Sequence, residues 1–300
     1  MLLERGIVVS YETVRRWAMK FGRDYARRLK HKTPSRRDIW HLDEIGFCRK
    51  LFGYGPMVPA FKVLRGVPMF KGRHFDRSVI LLCIRWYLAY KLSLRDLEEM
   101  MAERGLSVDH STVHRWVVHF SPELLQRFHQ RKRAVTGKWH VDETYIKVRG
   151  QWMYLYRAID SRGDTVEFHF SEHRDLAAAK RFFKKALQRH GHPDRVVIDG
   201  SQTNREAIVS CDTANRPQHR SRRRLKPIRI RQSQYLNNRI EQDHRLIKRR
   251  VRPMLGFKST DSARTILSGI EMIAMMRKHQ ARYAFNPRPS LAEQFDILAA

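Results

Sequence analysis

Three carboxylates in this chain stand where acids are normally unwelcome. Asp142 interrupts the aromatic and β-branched residues of KWHVDETYIKVRG (138–150), and Asp199 closes the short apolar run in DRVVIDG (194–200). Glu241 stands in NNRIEQDHRLIKRRVRPM (237–254). Brought together, three such groups repel one another unless a hard divalent cation neutralises them. Two ions about 3.5–4 Å apart clamp the attacking and leaving oxygens of an in-line phosphoryl displacement. They also lower the pKa of bound water, so one pocket can hydrolyse a phosphodiester and then transfer a strand. Each acid has a plainer role open to it as well. Asp142 can pair with Lys147, Asp199 can cap the helix that follows it, and Glu241 can pair with Arg245 at i,i+4.

The elements that must position these acids are legible in the periodicity. Residues 138–171 alternate as three successive strands, with turns at Arg149-Gly150 and Ser161-Arg162-Gly163. An amphipathic helix, DLAAAKRFFKKALQRHG, follows and is stopped by Gly191. Then come the short strand that ends at Asp199, a helix around 204–211, the strongly basic stretch 219–231, and the long charged helix that carries Glu241. A meander followed by helix, strand, helix and strand is a mixed α/β layout and not a doubly wound parallel sheet. In such a sheet, adjacent strand ends and a helix packed across them can bring the three acids together.

Upstream the period is helical. Residues 78–90 read as a buried helix, and LSLRDLEEMMAERG (92–105) as a second with Leu94, Leu97, Met100 and Met101 recurring at helical spacing. Asp109 is placed to cap a third, STVHRWVVHF (111–120), whose inner face is Val113, Trp116 and Val117. Two short helices joined by a tight turn, the second carrying Thr112, His114 and Arg115 outward, form a helix-turn-helix pattern suited to a DNA groove. The plainer alternative is a helical hairpin with a solvated face. Trp116 and Trp139 are expected in the core.

Composition sets the partner. A formal charge of +30 on 300 residues, with a pI near 10.8, attracts polyanions. A hydrophobic content of 42% is too high for a disordered basic tail. Cys48, Cys83 and Cys211 are too scattered for a zinc knuckle or a disulfide framework. The longest apolar run, 79–90, is interrupted by Arg85 and too short to span a bilayer, and no segment has the layout of a signal peptide. The expectation is an intracellular protein bound to nucleic acid.

The chain also repeats itself. ERGIVVSYETVRRW (4–17) aligns without a gap on ERGLSVDHSTVHRW (103–116), and WHLDE (40–44) falls on WHVDE (139–143) at the same offset. The first copy breaks off after Asp43 and Glu44 into GFCRKLFGYGPMVPAF, which has no periodicity. Residues 1–45 therefore read as a truncated duplicate of the helix-turn-helix and first catalytic strand, and 46–69 as a junction.

FKGRHFDR (70–77), the hairpin at 92–120, WHVDETYIKVRG (139–150) and YLNNRIEQDH (235–244) resemble bacterial insertion-sequence transposases of the family usually numbered six, over about residues 70–283. The resemblance implies an α/β chain: a ribonuclease-H-like mixed-sheet catalytic domain (131–283) preceded by an all-α helix-turn-helix domain (70–130), with a tail at 284–300. It implies a DDE triad of Asp142, Asp199 and Glu241 working with Mg²⁺, two ions in number, for which Mn²⁺ substitutes. After Asp199 the sequence VVIDGSQTN departs from the family pattern, and the interval to Glu241 is longer than usual by several residues. The extra length is assigned to 212–231, whose Arg222, Arg223 and Arg224 are expected on DNA phosphates. Lys248, Arg249 and Arg250 are expected to hold flanking phosphates, and His244 to be solvated or to cap the helix, the alternative being contact with the scissile phosphate from the side of Glu241. The implied activity is a transposase that binds terminal inverted repeats and cleaves and transfers DNA strands. Its partners are double-stranded DNA, as terminal repeats and target, and at least one further copy of itself. No membrane is involved, and the expected location is the bacterial cytoplasm at the nucleoid. The alternative is a catalytically inactive helix-turn-helix remnant or regulator.

Overall fold

In the computed structural model the described residues are 10, 12–13, 15–17, 19–22, 69–215, 226–233, 238–284, 286 and 288–300. Met1–Leu64 and Arg65–Ala300 are separate compact units. Within the first, described residues between 12 and 22 are helical, and Trp17 is 45% exposed. Its counterpart in the second copy, Trp116, is 6% exposed. The rest of the expected duplicate, Asp43 and Glu44 included, and the junction up to residue 68 lie outside the described residues.

The second unit begins with three helices. Helix α1 (Arg77–Ala89) starts where the Asp76 carboxylate accepts the Ser78 amide, and almost its whole surface is buried. Helix α2 (Leu94–Ala102) opens on a reciprocal capping box between Ser93 and Asp96, which satisfies two otherwise orphan amides. Gly105, at φ +70°, takes the left-handed turn that ends this segment. Helix α3 runs from His110 to Arg131 behind its cap Asp109 and so continues well past residue 120. Pro122 removes one backbone hydrogen bond, but the buried Leu124 and Phe128 of the following turns hold the helix together through it.

The sheet follows. Strands β1 (Lys138–Val148), β2 (Gln151–Asp160) and β3 (Thr165–Ser171) form an antiparallel meander. Helix α4 (Leu176–His190) leads to β4 (Arg195–Ile198), and helix α5 (Gln202–Asn215) leads towards β5 (Arg229–Gln232). The order is β3-β2-β1-β4-β5, with β4 parallel to both β1 and β5. This is the mixed sheet that the pattern predicts. Helix α6 (Asn238–Val251), a short 3₁₀ turn (Arg252–Met254), helix α7 (Thr260–Arg277) and helix α8 (Leu291–Ala299) complete the unit.

Alternation along the strands builds a core on each face. Trp139 and Val141 of β1, with Tyr156 and Ala158 of β2, pack with α4 and α5. Ile146 and Val148, with Met153 and Leu155, join the helices α1, α2, α3, α7 and α8 on the other face. Among the described residues the three amino-terminal helices therefore share a core with the sheet. The segment 284–300 is not a loose tail: Phe295 and Leu298 of α8 are buried among α1, α3 and α7. No helix among the described residues is long and apolar enough to cross a membrane.

Candidate active site

The site is laid out by the register of two parallel strands. His140 of β1 faces Val197 of β4. Asp142 and Asp199 each lie two residues beyond that pair, so they emerge at one level of neighbouring strands and on one face of the sheet. That face is the one α6 covers, packed on β1 through the buried Ile240, Asp243, His244 and Ile247. Glu241 lies in the first turn of α6, exposed, where the positive end of the helix dipole favours an acid.

The electrostatics follow from that placement. Burial pushes the Asp142 carboxyl up to about 7; the charge of the adjoining Glu143 adds to this, and those of Asp199 and Glu241 add further. Both of the other sequence-predicted acids thus act on Asp142. Among the described residues the three do not close to within 4.8 Å. The cluster that does is Glu98, Asp109 and His110 in the α2–α3 hairpin, where His110 Nδ1 lies 2.9 Å from Glu98 Oε2. Three carboxylates with hard oxygen donors, one of them held above its usual range by burial first and by neighbouring negative charge second, suit a divalent cation of the magnesium type. Asp212, another aspartate of the region, is instead held by His192 Nε2 at 2.8 Å and the Ile228 amide at 3.2 Å.

Several residues that support the site escaped the reading of motifs. Glu143 is buried, accepts from the Arg174 guanidinium, and accepts from Asn204 Nδ2 at 3.1 Å. It ties β1 to the segment before α4 and to α5. Behind Asp142 lies a buried ionic cluster. Arg157 of β2 donates to Glu271 of α7 and to Asp243 of α6, each at 2.5 Å, and Lys278 Nζ reaches Asp243 at 2.5 Å. Burial alone would raise the Asp243 carboxyl, but Arg157 and Lys278 hold it below the usual carboxylate range. The one signal for this cluster was Glu271, a lone acid in the apolar helix segment SGIEMIAMM.

His244 is neither solvated nor a cap. It is buried, with Nδ1 3.6 Å from Asp142 Oδ2. Burial first, and the positive field of Arg157 second, pull it down to about 3. It is therefore neutral at physiological pH, and its contact with Asp142 is not an ion pair.

The expected DNA-contacting residues divide. Lys248 and Arg249 are exposed on α6. Arg250 is turned inward: its guanidinium donates to the Tyr87 carbonyl and lies over the Tyr87 ring, 5.0 Å from the centroid. It fastens α6 to α1 and does not reach solvent. Lys248, Arg249 and Arg250 are consecutive, and at about 100° per residue they fan over roughly 200° of the helix, of which Arg250 takes the inner edge. Arg115 is exposed and donates to Thr112 Oγ1 at 2.8 Å, while His114 is half-buried. Arg222, Arg223 and Arg224 lie outside the described residues. The described end of the basic stretch forms β5 at the sheet edge.

A mixed sheet with acids on adjacent parallel strands and a third on a helix across them defines a class of phosphoryl-transfer site. Residues 136–280, which span all three acids, match the DDE domain of IS240-type transposases. The chain is 39% identical over 223 residues to the transposase of the insertion-sequence-like element IS431mec from Staphylococcus aureus, covering 73% of this chain and 94% of that protein. It is 38% identical over the same share of each to the Staphylococcus aureus transposase of element IS257 in transposon Tn4003. The chain belongs to the DDE insertion-sequence transposases, enzymes that act as polynucleotidyl transferases. Solved structures similar to it include the HTLV-2 integrase catalytic core in complex with magnesium, at 15% identity, 47% of this chain, 86% of that one and a TM-score of 0.33. The BIV integrase core is similar at 15% identity, 45% and 82% coverage and a TM-score of 0.34.

Proposed function

We propose that this chain is a transposase of the family numbered six, with a ribonuclease-H-like catalytic fold, that binds the terminal inverted repeats of its element and cuts and joins their strands. The observation that carries the reading is the parallel register of β1 and β4, which sets Asp142 and Asp199 side by side beneath the helix of Glu241. Asp142 and Asp199 would hold both of two Mg²⁺ ions and Glu241 the second, with Mn²⁺ able to replace them. When bound, such ions supply activation of water or of a freed 3′-hydroxyl and stabilise charge on the transferring phosphate. The protein's own part is positional. Glu143, fixed by Arg174 and Asn204, holds the backbone of β1 at Asp142, while the neutral His244 fills the space behind it without competing for the acids. Lys248 and Arg249 hold phosphates beside the site, and Thr112, His114 and Arg115 on α3 meet the repeat. The enzyme works as at least a dimer on DNA of the bacterial nucleoid, where two ends must be paired.

The unequal exposure of Trp17 and Trp116 supports reading residues 1–45 as a truncated relative fused ahead of the intact enzyme. A chain begun at Met69 should keep its affinity for the repeats; loss of that affinity would assign the extra residues an end-binding role.

The test of the catalytic reading is strand transfer with pre-cleaved repeat ends in Mg²⁺ or Mn²⁺. Asp142→Ala, Asp199→Ala and Glu241→Ala should each cut joined product by roughly 10⁴–10⁶-fold, the scale for losing one member of a catalytic group. Full activity in Asp199→Ala would remove it from the triad, and repeat binding without joining by wild type would favour an inactive DNA-binding remnant.

A further inference from the structure

A groove of about 1260 Å³ runs along the free edge of β1, next to the acids but not containing them. It exists because β4 is short. Among the described residues β4 pairs with β1 only at 138–140, and the next neighbour on that edge is Phe257, bridged to Val148. Between those points the edge is open. One wall is aromatic: Tyr145 of β1 with Trp152 and Tyr154 of β2. The other is cationic: Arg245 and Lys248 of α6 with Arg252 just beyond it. Arg245, Lys248 and Arg252 follow Glu241 at +4, +7 and +11, so they continue its stripe of the helix away from the site.

The aromatic wall is unusual in its exposure. Tyr145 is 45% exposed and Trp152 60%, with ring centroids 6.4 Å apart and planes at 84°. Cross-strand ring pairs do stabilise hairpins. That role accounts for Tyr145 lying opposite Tyr154 in the register, and Lys147 Nζ lies 5.8 Å from the Trp152 centroid, but neither contact covers these rings, which stay open to solvent in a groove lined with cations. Cations alone suffice to follow the backbone of duplex DNA. A ring face offers something only to a base whose own face is free, which a base inside a duplex lacks.

The geometry points to a site for unpaired nucleotides: the groove takes a short single-stranded segment of the DNA end being processed, with bases stacked on Trp152 and Tyr145 and phosphates on Arg245, Lys248 and Arg252. The inference rests on the DNA-transposase reading and adds to it a requirement that the end be opened next to the acids.

The test uses the full-length protein with Ca²⁺, to hold DNA uncut, and fluorescent duplexes carrying the element's terminal repeat. One duplex is blunt and one has a few unpaired nucleotides at the cut end. Wild type should bind the opened end on the order of tenfold more tightly, the scale of one stacked base. Trp152→Ala should abolish that preference and leave blunt-end affinity unchanged, while Trp152→Phe, which keeps a ring, should retain most of it. Unchanged melting temperature in both variants separates this from unfolding. Equal binding of both ends by wild type would overturn the proposal while leaving the transposase reading intact. Failure to bind either end would overturn both. A change in oligomeric state in Trp152→Ala with the end preference intact would make the aromatic wall a contact between copies, and would overturn it too.

Discussion

Asp142 and Arg157 face each other directly across the β1–β2 pair, on the same side of the sheet, yet they are not partners. The Arg157 guanidinium turns away to Glu271 and Asp243. The acid of the site is thereby left without a buried counter-charge, and its carboxyl rises to about 7. Arg157, the most deeply buried arginine among the described residues, joins β2, α6 and α7 and leaves Asp142 unneutralised by it.

Replacing Arg157 should be among the most damaging single changes in the catalytic half. Arg157→Met leaves Asp243 and Glu271 buried with their shared partner gone, and removing one side of a buried ion pair typically costs about 3–5 kcal/mol. Urea unfolding of the two proteins measures this directly. Adding Glu271→Gln to Arg157→Met should recover part of the loss, because one of the stranded charges is removed.

The Asp142 carboxyl gives a stability signature with a definite sign. Its folded value of about 7 lies above the ordinary aspartate value of 3.8, so the folded state holds a proton that the unfolded chain releases. Without divalent cation, its contribution to stability should fall as pH rises from about 4 to about 7 and stay level above that. Asp142→Asn has no such proton to lose. At pH 8 it should be more stable than wild type by on the order of 2 kcal/mol, and near pH 4 the difference should vanish. Melting curves across this range decide the matter. Mg²⁺ should raise the wild-type curve at pH 8 and leave that of Asp142→Asn almost unmoved.

Glu143 is the second largest cause of the rise at Asp142 and is itself fixed by Arg174 and Asn204. Glu143→Gln removes a negative neighbour and keeps one acceptor oxygen, enough for Arg174, while giving up the oxygen that Asn204 uses. Asp142 should then titrate lower, as seen by carboxyl-carbon NMR, and its melting-curve slope should move to lower pH with it. An unmoved titration would leave burial and the charges of Asp199 and Glu241 as the causes.

The neighbours Lys248 and Arg250 should separate cleanly. Lys248→Ala removes an exposed cation, so it should weaken DNA binding and lower the salt dependence of log K by about one unit, with no change in melting temperature. Arg250→Ala leaves the Tyr87 carbonyl without its donor and opens the α1–α6 contact, so it should cost about 1–3 kcal/mol of stability. Its salt dependence of DNA binding should stay that of wild type.

Much of this protein was open to reading before any fold was drawn. Strand alternation through 138–171, the stop at Gly191 and the apolar run ending in Asp199 gave the meander, the crossover and the next strand, because these signals are local to the segment that shows them. The three acids were visible for the same reason: each is a charge placed where its own neighbours in sequence are apolar or helical. Direction along a helix was not visible. Nothing local distinguishes Arg250 from Lys248 until α1 packs against α6, and nothing marks His244 as buried until β1 lies beneath it. The cluster of Arg157, Asp243, Glu271 and Lys278 joins residues more than a hundred positions apart, and only Glu271 stands out in its own segment. The sequence by itself thus singled out the three acids and determined the order of the elements that present them. The tertiary structure alone decided which charges neutralise each other and which remain for a ligand, because burial and pairing depend on neighbours in space.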